Sequence, residues 1–199
     1  MASVRPISGM SMHAHAMDNL SFIRKTMERA GSFTAVPGMG GVAMGVTAFL
    51  AAGLASRQTT PEAWLAVWLA AAIVACSIGV FAAYRKARAV DLPLFSGPGR
   101  KFVLGLTPPM LAGAILTLAF WRAGQIEMLP GIWLLLYGAA VVTGGAASVR
   151  IVPAMGVCLM AAGAAALFLP LSWGDGVMAF GFGLLQVLFG LVIKVKYGG

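Results

Sequence analysis

Six runs of apolar residues, each long enough to cross a bilayer, follow one another along most of the chain. They cover residues 36–56, 63–84, 102–121, 129–148, 151–172 and 177–193. An α-helix rises 1.5 Å per residue, so about 20 residues cross a hydrocarbon core that is ~30 Å thick. The pattern predicts an all-α fold: a polytopic membrane helix bundle with six transmembrane helices between residues 36 and 196.

Glycines in these runs indicate how the helices pack. They destabilise a helix in water, but in lipid they let the backbones of two helices approach closely. The first run and the end of the fourth are the richest in them. We therefore predict helix–helix contacts at Gly38, Gly41, Gly45, Gly144 and Gly145.

The N-terminal part of the chain is polar and shows two patterns. Residues 1–17 lack any periodicity and are predicted to be a disordered cytoplasmic tail, in which His13 and His15 have no neighbouring metal ligand. Residues 18–31 place apolar side chains at helical spacing and predict a short amphipathic helix. Two roles stay open for this helix: it lies at the lipid interface or on the bundle, or it docks a soluble partner.

The distribution of charge predicts the orientation. Of the 14 lysines and arginines, only Arg57 and Arg122 fall in the connections after the first, third and fifth runs. The positive-inside rule then places both termini in the cytoplasm, and we expect a multi-pass protein of the cell inner membrane. All five tryptophans fall at the opposite ends of the runs, where they are expected to form an outer interface belt: Trp64, Trp68, Trp121, Trp133 and Trp173.

Composition narrows the class of protein. Hydrophobic residues make up 60%, charged residues 10%, and the mean hydropathy is +0.90, which excludes an ordinary soluble domain. The net charge of +8 does not indicate nucleic-acid binding, because the basic residues flank apolar runs. Four of them border the longest connection and are predicted to contact anionic lipid head groups on the inner face: Arg85, Lys86, Arg100 and Lys101.

The sequence predicts no catalytic, cofactor or metal site, and hence no enzyme. Every aspartate and glutamate falls outside the six runs or at their ends, and no histidine follows His15. Chemistry inside a membrane normally needs an ionisable group at depth. Cys76 and Cys158 lie within apolar runs and are expected to be small, buried hydrophobic residues.

Two features inside the runs are candidates for a cavity or a hinge. The amide of Gln186 needs partners in lipid, which are supplied either by a neighbouring helix or by a ligand in a cavity. Thr107, Pro108 and Pro109 lie within the third run, where the prolines remove two backbone donors and predict a kink.

Two further patterns concern ancestry. Pro37-Gly38 and Pro130-Gly131 open runs that lie three spans apart, as in an inverted 3+3 repeat of a transporter. The stretches FIRKTMERAGSFTAVPG (residues 22–38) and WLLLYGAAVVTGG (residues 133–145) resemble uncharacterised bacterial six-span inner-membrane proteins. The resemblance implies the same six-span fold and brings no activity and no functional residues.

These observations leave three functional hypotheses. The first is a non-enzymatic accessory, assembly or sensory component that acts by helix association, with lipids and with a second copy or a companion membrane protein as partners. The second is a small permease or channel for neutral or apolar solutes, with a cavity near Gln186. The third, a lipid-modifying or redox enzyme, is disfavoured by the missing site. A solid glycine-packed core favours the first, and a central cavity favours the second.

Overall fold

The computed structural model describes residues 17–23, 27, 36–89 and 97–197. The chain divides into two units, Met1–Gly31 and Ser32–Gly199. Residues 1–16 of the predicted tail and half of the predicted amphipathic helix lie outside the described residues of the first unit. Residues 17–23 are helical, and Ser21 Oγ donates a hydrogen bond to the Asp18 carbonyl over 2.9 Å.

The described part of the second unit is helical and contains no β-strand, so the all-α prediction is confirmed there. Two 3₁₀ turns, Ile126–Met128 and Leu171–Trp173, precede the fourth and sixth helices. The sixth helix, α6 (residues 174–197), changes from α (Gly174–Met178) to π (Ala179–Leu185) and back to α (Gln186–Tyr197). The other helices are α1 (Gly38–Ala55), α2 (Pro61–Ala89), α3 (Gly97–Arg122), α4 (Leu129–Gly145) and α5 (Ile151–Ala166).

Five of the described helical segments are long and apolar enough to cross a membrane, which is consistent with a multi-pass membrane protein. The exception is α5, whose 16 residues span about 24 Å against a core of ~30 Å. The predicted fifth span continued to residue 172, whereas the helix ends at Ala166. Pro170 accounts for the difference, because it lacks the N–H that a helix needs and disfavours helical geometry before it.

The helices form an interior and a periphery. Helix α1 packs against α2 and α6, α4 packs against α3 and α5, and α6 also contacts α4 and α5. Only 11% of the α2 span and 6% of the α3 span are buried, against 44% of the span that contains α4. Helices α2 and α3 therefore lie at the periphery and direct most of their apolar side chains outward.

Glycines bring the backbones of α1 and α6 into contact. A Cβ atom on Gly45 would lie 2.6 Å from Val187 Cγ2 and 2.7 Å from the carbonyl oxygen of Gly183. A Cβ on Gly190 would lie 2.8 Å from the carbonyl oxygen of Gly38. Since real Cβ contacts are longer than this, the two helices approach as closely as they do only because these side chains are absent.

The same kind of contact joins α4 to α5. A Cβ on Gly138 would lie 2.7 Å from the carbonyl oxygen of Gly156, and a Cβ on Gly156 would lie 2.7 Å from that of Gly138. Gly144 on α4 lies against α3, where a Cβ on Gly105 would be 2.7 Å from the Gly144 Cα. Three helix pairs thus depend on glycine at the point of closest approach.

A pair of glycines on α1 tests this packing. We expect Gly45→Ala to lower the free energy of unfolding by about 1–3 kcal/mol, because the added methyl group overpacks the contact with α6. Gly53 on the same helix is the matched control, because a Cβ there has nothing within 4 Å. Gly53→Ala is expected to leave the melting temperature in detergent unchanged or slightly higher. Equal melting temperatures for the two variants would contradict the glycine contact.

Candidate functional site

Among the described residues, one polar side chain is buried, and it lies in the middle of the bundle. Gln186 is 6% exposed and lies at the start of the last α-helical part of α6. Its Nε2 donates a hydrogen bond to the Tyr137 hydroxyl over 3.3 Å and lies 3.9 Å from the sulfur of Met44. The amide therefore joins α6 to α4 and to α1. Its Oε1 has no hydrogen-bond partner among the described residues and can accept one further bond.

The π-helical segment Ala179–Leu185 directly precedes this glutamine. π-Helical turns are rare and occur often at functional sites. This one directs Gly181 towards the Leu134 side chain on α4, and Gly183 towards the ring of Phe49 on α1. Phe182 lies between them in sequence, and its ring centroid is 5.3 Å from that of Tyr137. The π segment thus fits α6 between two helices and fills the space beside Gln186.

The proline pair of α3 lies one turn after a contact with α4. The helix continues through Pro108 and Pro109 to Arg122. Pro109 lacks the N–H that the Gly105 carbonyl would accept in a helix. Thr143 on α4 offers a replacement donor, since its Oγ1 lies 2.6 Å from the Gly105 carbonyl oxygen; the same hydroxyl lies 2.8 Å from the Ala139 carbonyl oxygen of its own helix. Thr107 Oγ1 bonds within its own helix, to the Val103 carbonyl at 2.9 Å.

At one end of the bundle a carboxylate accepts two indole hydrogen bonds. Asp175 Oδ1 lies 2.8 Å from Nε1 of Trp64 and 3.1 Å from Nε1 of Trp68. The two tryptophans are one helical turn apart on α2, so their rings reach the same carboxylate at the start of α6. Trp68 and Met178 are both buried in the same cluster. These contacts fix one end of the peripheral helix α2 to α6.

A third tryptophan extends this group to the other half of the bundle. The Trp133 ring stacks on that of Trp64, with a centroid distance of 5.9 Å and an interplanar angle of 8°. Trp133 Nε1 also donates to Thr117 Oγ1 on α3 over 2.8 Å. Trp121 and Trp173 are exposed. Three of the five predicted belt residues therefore make specific contacts with one another or with polar groups of the protein.

The opposite end of the bundle carries the predicted head-group contacts. Lys86 Nζ donates to the carbonyl of Val36 over 3.0 Å and to that of Tyr197 over 3.4 Å. It therefore joins α2 to the residues that precede α1 and end α6. Arg85, Arg100 and Lys101 are exposed, and their contact with lipid head groups stays a prediction.

The predicted packing glycines all lie at close contacts. Gly38 faces Gly190 and the backbone of Lys194, Gly41 faces Gly190, and Gly45 faces Gly183 and Val187. Gly144 faces Phe102 and Leu106, and Gly145 faces Val152 and Pro153.

The cysteines do not lie in the core. The expectation that they are buried is wrong for both Cys76 and Cys158, which are free thiols exposed on the outside of the bundle. Both lie on helix faces that point away from the neighbouring helices, so their apolar sequence context reflects the membrane and not the core. The described residues contain no group of three or more His, Cys, Asp or Glu side chains that could hold a metal ion.

Sequence reasoning missed Asp175 as a structural residue. In the sequence, Asp175 is one of several acidic residues that lie at the end of a span. The available signal was the pair Trp64 and Trp68, whose spacing places two indole donors on one helix face. That signal indicates a shared acceptor but does not say which residue supplies it.

The chain matches no protein-family model, and no curated protein and no solved structure is significantly similar to it. The site is therefore defined by its own geometry. That geometry consists of a buried amide, a threonine that replaces a missing backbone donor, and a carboxylate bound by two tryptophans.

The carboxylate contact makes a prediction about stability. Asp175→Leu is expected to lower the free energy of unfolding by about 1–3 kcal/mol, because two indole donors lose a charged acceptor. Asp175→Asn keeps an oxygen that can accept and should recover more than half of the loss. Thermal unfolding followed by size-exclusion chromatography measures both. Glu62→Leu is the control, since Glu62 is exposed at the start of the same α2 helix. A loss equal to that of Asp175→Leu in this control would contradict the proposed role of Asp175.

Substitution of two threonines tests whether the Thr143 hydroxyl replaces the backbone N–H that Pro109 lacks. Thr143→Val leaves the Gly105 carbonyl without its interhelical donor and should cost about 0.6–1.7 kcal/mol, the range of hydrogen bonds between membrane helices. Thr107→Val removes a bond within one helix and should change the melting temperature less. If Thr107→Val destabilises the protein more than Thr143→Val, the Thr143 bond does not hold α3 to α4.

Proposed function

We propose that the protein is a non-enzymatic, six-span integral protein of the cell inner membrane, with both termini in the cytoplasm. It acts by helix association, as an accessory, assembly or sensory component. The observation that carries this proposal is the backbone contact of α1 with α6 and of α4 with α5 at glycines. A bundle packed in this way has a solid interior, and its function is then performed by its surface.

The middle of the bundle supports the same proposal. A path for a solute between the two halves would pass Gln186, Tyr137 and Phe182. These side chains contact one another across α4 and α6. The amide of Gln186 then serves as a hydrogen-bonded link between helices, in the way that polar side chains commonly do in membranes.

Two end contacts support placing both ends of the membrane unit on the same side of the membrane. Lys86 bonds the backbone beside α1 and at the end of α6, so the residues at both ends of the membrane unit lie together. Trp64 and Asp175 meet at the opposite end. With α5 counted as the fifth of the six spans, its short helix is completed by residues 167–173 or by local thinning of the bilayer.

Helix α3 offers the surface for association. It packs along its length against α4, while its other side carries a stripe of side chains that are more than half exposed: Leu104, Leu111, Ile115 and Leu118. Pro108 removes the N–H that the Leu104 carbonyl would accept within the helix. An unsatisfied carbonyl is costly against acyl chains. The partner we propose is therefore a transmembrane helix with a hydroxyl or amide side chain at this depth.

A second candidate function is the small permease for neutral or apolar solutes, possessing an inverted repeat. One observation favours it: the contacts of α1 with α2 and α6 have counterparts in those of α4 with α5 and α3. This is the pairing that a 3+3 inverted repeat would produce. The unpartnered Oε1 of Gln186 would then be the solute contact.

Photo-crosslinking in native membranes tests association through α3. Benzoylphenylalanine placed singly at Leu104, Leu111 and Ile115 is expected to give protein adducts of one discrete mass. The same probe at Leu106, which faces Gly144, should give none. The yield should follow the helical period, because only one face meets the partner. Lipid adducts alone from every position would overturn the proposal.

A flux measurement separates the two candidate functions. Liposomes that contain the purified protein are expected to shrink in glycerol or urea gradients at the rate of protein-free liposomes. Gln186→Leu should leave that rate unchanged. Solute permeation that requires the protein and is lost in Gln186→Leu would favour the permease and contradict the proposed association role.

A further inference from the structure

A shallow, open groove runs along the surface of α2. It is lined by Cys76, Ser77, Val80, Phe81 and Tyr84, and most of the lining surface is carbon. Because α2 is a peripheral helix, the groove is open to the side of the bundle where lipid lies.

Two arginines stand at the end of this groove. Positions 77, 81, 84 and 88 follow the helical period, so Arg88 lies on the same face as the lining residues. Its guanidinium carbon is 5.7 Å from the Tyr84 ring centroid, and its Nη1 donates to the Tyr84 hydroxyl over 3.3 Å. The Arg85 guanidinium carbon is 6.0 Å from the Phe81 ring centroid.

These ring contacts hold the charges in place. A guanidinium over an aromatic face is attracted by the ring quadrupole and loses some of its freedom. Both arginines are exposed, so their remaining donors are available to a ligand. Lys86, between them in sequence, is used elsewhere, since its ammonium bonds the carbonyls of Val36 and Tyr197. The face of α2 thus combines an apolar groove with two oriented guanidinium groups.

We infer that this face of α2 binds one anionic phospholipid, with an acyl chain in the groove and the phosphate at Arg85 and Arg88. Charge and polarity both match this occupant: guanidinium groups bind phosphate oxygens with bidentate hydrogen bonds, and the groove accepts hydrocarbon. Free phosphate would leave the groove unused. A zwitterionic phospholipid would bring its cationic amine towards two arginines. The inference depends on the proposed function only in placing the Arg85 end of α2 at a membrane surface.

Lipid binding is measured on the purified full-length protein by native mass spectrometry. Phosphatidylglycerol and phosphatidylcholine with the same acyl chains are titrated separately. We expect phosphatidylglycerol to bind at least about tenfold more tightly, since two oriented charges favour an anionic head group. Equal binding of the two lipids would overturn the inference.

A charge-matched pair of double variants locates the site. Arg85→Gln with Arg88→Gln should weaken phosphatidylglycerol binding about tenfold, whereas Arg100→Gln with Lys101→Gln, which removes the same charge at the same end of the bundle, should change it less than twofold. An equal loss in both pairs would mean diffuse attraction to a basic surface and would contradict a defined site.

The groove is tested without a change of charge. Val80→Trp fills it and should weaken phosphatidylglycerol binding severalfold, while leaving the weak binding of glycerol phosphate, which has no acyl chain, unchanged. If glycerol phosphate binds as tightly as the lipid, the site is a phosphate site and the inference fails.

All these measurements use isolated protein, so their outcome does not depend on the crosslinking and flux results. Labelling that places residue 85 on the outer face would contradict the proposed orientation and leave the lipid result intact.

Discussion

The backbone contact between α1 and α6 is the interaction on which the rest of the structure depends. Apolar side chains gain no hydrophobic free energy when they leave lipid for protein, so membrane helices are held by dispersion and by hydrogen bonds between helices. Dispersion falls steeply with distance, and the absence of side chains at Gly38, Gly45 and Gly190 brings the two backbones together. Gly138 and Gly156 do the same for α4 and α5.

Polar contacts at three depths of the bundle then fix how the helices are aligned with one another. Lys86 binds carbonyl groups at one end, Gln186 joins three helices in the middle, and Asp175 accepts two indole donors at the other end. Each contact connects helices that are distant in sequence. Close packing alone would allow neighbouring helices to slide, whereas a hydrogen bond with one geometry sets their register. Thr143 sets the register of α3 against α4 in the same way. It bonds the Gly105 carbonyl, which has no donor from its own helix because residue 109 is proline.

This distribution of contacts separates interior from surface. The interior is filled by glycine contacts and by the side chains around Gln186, so it supplies rigidity. The periphery is formed by α2 and α3, which are little buried and carry different surfaces. One has an apolar groove that ends at Arg85 and Arg88, and the other has an apolar stripe interrupted by a proline. These two helices are therefore the proposed recognition surfaces: α2 for a lipid and α3 for a protein partner.

The pattern of residues along the chain accounts for the helical class, the approximate positions of five long apolar helices and some of the glycines at which helices touch. These properties are local: they depend on the length of an apolar run and on the size of a side chain. It also indicated that Gln186 needs a partner. The three-dimensional packing was needed to show that the partner is Tyr137, that Lys86 binds backbone carbonyls, and that Asp175 meets Trp64 across 111 residues. Those pairings depend on which helices are neighbours, and helices of similar composition in lipid leave that choice to their three-dimensional packing.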